Sequence, residues 1–216
     1  AVLTTELADP TGYGRVLRDG AGDVAGIVEQ ANATSDQRRI REVNSGIYAF
    51  RAEALWPALE AVPWSRARKG KEIYLTGVLS ALSARGLRVE ALPALDSAES
   101  LGINTPWELA EASALLRRRI LQDLMASGVR ITDPASTFIE TEIPVGKGTL
   151  IHPFTVIRRG VRIGRDCQVG PFAHLREGTV LEDGAEVGDF VETKQARLGS
   201  RSKAKHLAYL GDVLIG

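Results

Sequence analysis

Residues 145–192 read VGKGTL IHPFTV IRRGVR IGRDCQ VGPFAH LREGTV LEDGAE VGDFVE, consecutive hexads that each open on an aliphatic residue. The beat starts at Ile139 and runs through Val145, Ile151, Ile157, Ile163, Val169, Leu175, Leu181 and Val187. Four places after each aliphatic residue from Val145 onward stands a small or compact one: Thr149, Thr155, Val161, Cys167, Ala173, Thr179, Ala185 and Val191. Gly follows the aliphatic directly at Gly146, Gly164, Gly170 and Gly188. Neither the 3.6-residue period of a helix nor the alternation of a strand makes this double pattern. A hexapeptide β-helix does, because each repeat is one short strand plus a corner whose apolar side chains fill a thin prism.

The rhythm then slips. Thr193 stands where the next aliphatic residue is due, Lys194 follows it, and the beat resumes one residue early at Leu198, Ala204 and Leu210. A break in a regular repeat is a natural place for chemistry. Three repeats make one turn of such a coil, so Arg176 and Lys194, 18 residues apart, lie one above the other. Stacked strands are ~4.8 Å apart, and like charges facing each other there are unfavourable. An anion bridging them removes the penalty, and Arg with Lys suits a phosphate; otherwise both side chains splay into water.

His206 lies just beyond, in KAKHLAYLGD, with Tyr209 three residues on. A neutral imidazole is the usual group for taking a proton from a nucleophile near neutral pH, although a lone histidine is also a common surface residue. His152 and His174 share no repeat register or edge with it, which speaks against a three-histidine metal site. Cys167 falls in the small-residue register and reads as a buried filler.

Length and composition bound the rest. A chain of 216 residues suggests one or two domains, and 44% hydrophobic residues is enough for a real core. Lys plus Arg, at 27, balances Asp plus Glu, at 27, so no global field draws the chain to nucleic acid or membrane. One Cys makes no internal disulfide, and nothing resembles a secretory signal or a membrane span, so a cytoplasmic location is expected. Ala1 is not an initiator Met, the opening VLTTEL reads as a strand entered midway, and LGDVLIG is still in repeat rhythm. These ends are those expected of a fragment of a longer protein.

Upstream of the repeats the pattern is mixed. Val24–Glu29, Ile47–Phe50 and Leu87–Leu95 read as strands, Ala52–Val62 and Tyr74–Arg85 as helices, giving part of an α/β domain over residues 1–104. A further helix begins at Thr105, with Pro106 in its first turn and Glu108 completing a capping box, and Gly128 ends it. Leu109, Leu116, Ile120 and Leu124 form its apolar stripe, and Arg117, Arg118 and Arg119 its solvated face. Residues 105–128 read as a linker helix and 129–216 as the β-helix. In the first domain, PTGYGR (Pro10–Arg15) suits a loop where backbone amides approach a ligand, and equally a plain turn. Glu29 and Asn44 stand at strand ends, positioned to orient sugar hydroxyls or to cap turns.

Taken together, DPTGYGRV, GIVEQANAT, IREVNSGIYAF, KEIYLTGVL, GINTPWELA, GVRITDPAST, VGPFAHLREGT and VGDFVETKQARLGSRSKAKHLAYLGD resemble, in order, the bacterial bifunctional N-acetylglucosamine-1-phosphate uridyltransferase/glucosamine-1-phosphate N-acetyltransferase family. The last two stretches carry most of the specificity. The resemblance implies an α/β-plus-β protein: the C-terminal part of a nucleotidyltransferase α/β domain, the linker helix, then a left-handed parallel β-helix. It implies acetyl transfer from acetyl-CoA to glucosamine 1-phosphate, then reaction of the product with UTP to give UDP-N-acetylglucosamine and pyrophosphate, assisted by Mg2+, in a cytoplasmic homotrimer.

On matching positions, His206 is implied as the general base, Arg176 and Lys194 as holders of the sugar phosphate, and Tyr209 as a sugar contact. Gly14, Glu29, Asn44 and Asn104 are implied for N-acetylglucosamine binding, with Asn104 also on the Mg2+ through its amide oxygen. One departure is Gly77, where the family usually carries Asp after Tyr74-Leu75-Thr76; losing that carboxylate weakens a local hydrogen bond or the helix start. Two other readings are a sugar nucleotidyltransferase such as a glucose-1-phosphate adenylyltransferase relative, whose coil only assembles subunits or binds regulators, and a trimerising β-helix scaffold.

Overall fold

The computed structural model describes residues 1–63, 65–67 and 70–216. Two compact units divide the chain, Ala1–Asn104 and Thr105–Gly216.

In the first unit, β1 (Val2–Glu6), β2 (Arg15–Arg18), β3 (Val24–Val28) and β4 (Glu42–Tyr48) form an antiparallel sheet. Helix α1 (Ala52–Glu60), the hairpin of β5 (Ser65–Ala67) and β6 (Gly70–Glu72), and α2 (Gly77–Ala84) follow. Strand β7 (Ala91–Pro93) then adds in parallel beside β1, giving the order β3-β2-β4-β1-β7. Val2, Val16, Val24 and Ile27 from the strands bury against Ala58 of α1 and Val78, Leu79 and Leu82 of α2.

Some expected boundaries move. The strand expected at Ile47–Phe50 is β4, which starts at Glu42 because Glu42, Val43 and Asn44 pair with Glu6, Thr5 and Thr4 of β1. Partners, not apolar content, recruit those polar residues. The run Leu87–Leu95 contributes only Ala91–Pro93, the edge strand, which pairs with β1. Strand β3 stops at Val28, leaving Glu29 just beyond it.

The second unit opens with α3 (Pro106–Ala126). Thr105 accepts from the Glu108 amide while the Glu108 carboxylate accepts from the Thr105 amide, so the expected capping box is formed. Gly128, at φ 99°, takes the left-handed conformation past the helix end. The apolar stripe differs from expectation. Leu109 and Leu116 are 54% and 52% exposed, and Leu121, with Ile120 and Leu124 beside it, packs on the coil. Arg117 also leaves its expected solvated role, with its guanidinium carbon 4.2 Å from the centre of the Phe138 ring.

From Arg130 the chain winds into a left-handed β-solenoid of hexapeptide repeats whose strands stack in parallel on three faces. The first face carries 130–131, 150–151, 168–169, 186–189 and 203–206; the second 138–139, 156–157, 174–175, 192–194 and 209–211; the third 162–163, 180–181, 197–198 and 214–215. Ile151, Ile157, Ile163, Val169, Leu175, Leu181 and Val187 are buried, as are Thr149, Thr155, Val161, Cys167, Ala173, Thr179, Ala185 and Val191. Each large aliphatic residue contributes about 1.5–3 kcal/mol by its burial. Gly188 has a packing reason: a Cβ there would lie 1.9 Å from the Lys205 carbonyl oxygen of the next rung.

The corners are made by residues at positive φ, in three columns: Gly148, Asp166, Gly184, Arg201; Phe154, Phe172, Phe190, Leu207; and Glu142, Gly160, Gly178, Gln195, Asp212. A bulky residue there costs roughly 1–3 kcal/mol. Phe154, Phe172 and Phe190 offset part of it by stacking on one another, with centroids 4.9 Å apart at each step. The columns also locate the slip. His174 pairs with Glu192, 18 residues on, but Glu192 pairs with Tyr209, 17 on, and Arg197 with Leu214, again 17. The second face loses one residue at each of its last two rungs, where its strands lengthen to Glu192–Lys194 and Tyr209–Gly211. Thr193 fills an aliphatic position there, its hydroxyl 2.9 Å from that of Thr179.

Candidate functional site

The second face gathers most of the polar residues singled out in the coil. His174 pairs with Glu192 and Leu175 with Thr193, while the Arg176 amide donates to the Thr193 carbonyl at 2.9 Å, placing Arg176 beside Lys194 on the next rung. Above them, Glu192 pairs with Tyr209 and Lys194 with Gly211. The Tyr209 ring lies along its own strand, so that a Cβ on Gly211 would meet its hydroxyl at 2.7 Å. The phenol therefore reaches toward the end of the face where Lys194 sits.

Glu192 was not among the expected site residues. It accepts from Nη1 of Arg176 at 2.8 Å, and its Oε1 is 4.0 Å from Nδ1 of His174. The Arg176 hydrogen bond, the largest influence, holds the Glu192 carboxyl below the usual carboxylate range, and the same bond raises the Arg176 pKa. A carboxylate thus already offsets the repulsion between Arg176 and Lys194, and geometry does not require a bridging anion. The signal for Glu192 was available, since it lies 18 residues after His174 and one place before the break.

His206 is on a different face. It ends the strand Lys203–His206 and pairs with Asp189 on the rung below. The Leu207 corner separates it from Tyr209, and the Leu207 amide donates to the Asp189 carbonyl at 2.9 Å. Lys203 and Lys205 before it are held by Glu186, at 2.7 and 2.5 Å. His206 and Tyr209 thus flank one corner, while Arg176 and Lys194 stand at the far end of the second face, about 10 Å of strand away. Arg158 continues their column below, 3.0 Å from Glu140. Cys167 is buried, as expected of a filler, and burial pushes its thiol pKa up.

In the first unit, Gly14, Glu29 and Asn44 come together. The Asn44 amide donates to the Gly14 carbonyl at 3.0 Å. A Cβ on Gly14 would lie 2.8 Å from Ile27 and 3.5 Å from the Glu29 carboxylate, so only Gly lets the loop approach. The Thr76 hydroxyl donates to Glu29 at 2.9 Å, and Asn44 accepts from the Gly46 amide at 2.9 Å. Tyr48 joins them, its phenol pKa raised first by burial and lowered by a hydrogen bond with Asn44.

Because Thr76 is turned to Glu29, α2 starts with no side-chain cap hydrogen bond, and a Cβ on Gly77 would lie 2.7 Å from Val62. Asn104 lies two residues past Gly102, whose amide donates to the Tyr13 hydroxyl at 3.0 Å. No group of three or more His, Cys, Asp or Glu residues that could hold a metal occurs among the described residues. Asn104 supplies one amide oxygen, which is not a donor set for Mg2+.

A coil of this kind defines a class, the hexapeptide-repeat proteins: residues 145–177 match the family described as bacterial transferase hexapeptide (six repeats). Sequence then specifies the family, since the chain is homologous over its whole length to the bifunctional GlmU proteins. It is 45% identical to that of Syntrophotalea carbinolica over 249 aligned residues, covering 100% of this chain and 53% of the relative. It is 41% identical to that of Mycobacterium avium, covering 100% of this chain and 50% of the relative. The chain therefore spans about half the length of the curated relatives it matches. Among solved structures, the acetyltransferase domain of PglB from Neisseria gonorrhoeae aligns with 46% of this chain and 56% of its own at 15% identity and a TM-score of 0.30, too slight a likeness to argue from. No described helix is long and apolar enough to cross a membrane.

Proposed function

We propose that the chain serves a transferase of UDP-N-acetylglucosamine synthesis, with acetyl transfer on the coil and uridyl transfer on the α/β unit. The observation that carries this reading is whole-length homology to bifunctional GlmU proteins, joined to the grouping of Arg176, Glu192, Lys194 and Tyr209 on one face, with His206 across the Leu207 corner from Tyr209.

In the acetyl transfer, Arg176 and Lys194 hold the phosphate of glucosamine 1-phosphate, and Glu192 fixes the Arg176 fork through its 2.8 Å bond. Tyr209 contacts the sugar. The sugar amine attacks the thioester carbonyl of acetyl-CoA as neutral His206 takes its proton. The new C–N bond forms, the C–S bond breaks, and the proton leaves with the coenzyme A thiolate. Because His206 stands one corner away, the bound sugar would span the stretch of the face between the cations and the imidazole.

In the uridyl transfer, Gly14, Glu29, Asn44 and Asn104 hold N-acetylglucosamine 1-phosphate while its phosphate oxygen attacks the α-phosphorus of UTP, releasing pyrophosphate. Mg2+ belongs to this reading through the resemblance, and Asn104 is no donor set by itself. A cytoplasmic homotrimer, small-molecule substrates and no nucleic-acid or membrane partner complete the proposal, as do the assignments of 1–104 to the uridyltransferase, 105–128 to a linker helix and 129–216 to the acetyltransferase.

The deciding experiment replaces His206 by Ala in a protein of the relatives' length carrying this chain. Acetyl transfer, followed as thiol release from acetyl-CoA, is expected to fall ~10²–10⁴-fold while uridyl transfer persists. Acetylation at an unchanged rate removes His206 from the role, and no acetylation by the parent protein returns the coil to a scaffold.

A further inference from the structure

Arg15 is 1% exposed, and among the described residues the carboxylate that acts on it, Asp9, does so through space and makes no hydrogen bond to it. Its Nη1 donates to the Tyr13 carbonyl, its Nη2 donates to Oε1 of Gln30 at 2.7 Å, and its Nε has no partner among the described residues. Burial is the largest influence on this guanidinium and lowers its pKa. Burying a cation without a directly bonded counter-charge is expensive, and replacing such an ion by an apolar side chain of similar volume is often neutral or stabilising. Stability alone therefore gives a poor account of Arg15.

Its position gives a better one. One end of the fork grips the loop that presents Gly14, and the other grips the residue after Glu29. Tyr13 extends the tie: its hydroxyl accepts from the Gly102 amide, two residues before Asn104. Gly14 in turn accepts from the Asn44 amide. Every residue expected to touch the sugar in this unit is thus fastened, directly or one step away, to Tyr13–Arg15.

We propose that Arg15 and Tyr13 are positioning residues of the sugar pocket: Arg15 sets the Gly14 loop against the end of β3, and Tyr13 sets the segment carrying Asn104. The proposal rests on the reading of this unit as the N-acetylglucosamine-binding half. Arg15 is buried, so it acts through the loop and not on the ligand. Lys is no substitute for Arg15, since a single ammonium lacks the planar fork that reaches two acceptors at once.

The test uses the purified chain, N-acetylglucosamine 1-phosphate and calorimetric titration, with amide hydrogen exchange read residue by residue. Arg15→Met is expected to weaken binding ~10-fold without lowering the melting temperature, and Arg15→Lys to leave the defect in place. Tyr13→Phe, which keeps the ring and removes one acceptor, is expected to weaken binding ~3–10-fold and to speed exchange at Gly102. Unchanged affinity in Arg15→Met and Tyr13→Phe overturns the proposal, as does a melting-temperature drop with exchange raised uniformly across β1–β4, which marks a purely structural role. If the parent chain does not bind the sugar phosphate, the reading of this unit fails before any substitution is made, and the proposal falls with it.

Discussion

Tyr209 stands directly above Glu192 on neighbouring rungs, and Glu192 is bound to Arg176 at 2.8 Å. A phenol, a carboxylate and a guanidinium thus share one patch of the second face. The carboxylate restrains the cation while leaving Lys194, one rung above Arg176, as the other positive group there.

Lys194→Ala is expected to raise KM for glucosamine 1-phosphate more than KM for acetyl-CoA, with a loss of about 1.5–3 kcal/mol for a charged hydrogen bond. Steady-state kinetics with each substrate varied in turn checks it. Equal effects on both would show that Lys194 does not contact the sugar phosphate.

Glu192→Gln keeps the shape but removes the charge that holds Arg176. KM for the amino-sugar phosphate should rise, and the effect should be smaller in an Arg176→Met background, where the tie is already gone. Additive losses in the double variant would separate the two residues.

The pH behaviour of the pair has a definite sign. The Glu192 carboxyl is held below its ordinary value of 4.5 in the folded chain, mainly by Arg176. Its contribution is therefore present above the unfolded-state pKa and disappears as pH falls through the lower folded value. Titration of the Glu192 side-chain carbons by NMR should give a midpoint below 4.5 that rises in Arg176→Met. A midpoint at or above 4.5 in the parent contradicts the ion pair.

Leu121→Ala tests the joint between α3 and the coil. Leu121 is buried among Val129, Ile131 and Ile139, so the substitution should cost roughly 2–5 kcal/mol in chemical denaturation. Leu116→Ala, at an exposed position, should change stability by less than about 0.5 kcal/mol.

Gly14→Ala should disturb the first unit's pocket, because the new Cβ would press on Ile27 at 2.8 Å. Affinity for N-acetylglucosamine 1-phosphate is expected to fall ~10-fold. Binding equal to the parent's would place the sugar elsewhere.

The coil was legible because its large and small registers each report an inward position, so Ile157 and Val161 announce their burial from spacing alone. Helix α3 was legible because its cap is local chemistry between Thr105 and Glu108. The early rows of β4 were not, since Glu42 and Asn44 are strand residues through their neighbours β1 and β2. The Phe154, Phe172 and Phe190 corner was hidden for another reason: the 18-residue recurrence is visible, but left-handed backbone at a bulky aromatic runs against its intrinsic preference. Glu192 escaped because its role depends on Arg176 reaching across a rung, a contact between residues 16 apart.

The shortened rungs make chain length itself part of the design. Every strand after Lys194 hangs from a partner 17 places back, so one inserted residue at Gln195 would displace His206 from Asp189 and Tyr209 from Glu192 together. Substitution can tune this region one side chain at a time. Insertion or deletion would rewrite all its pairings at once.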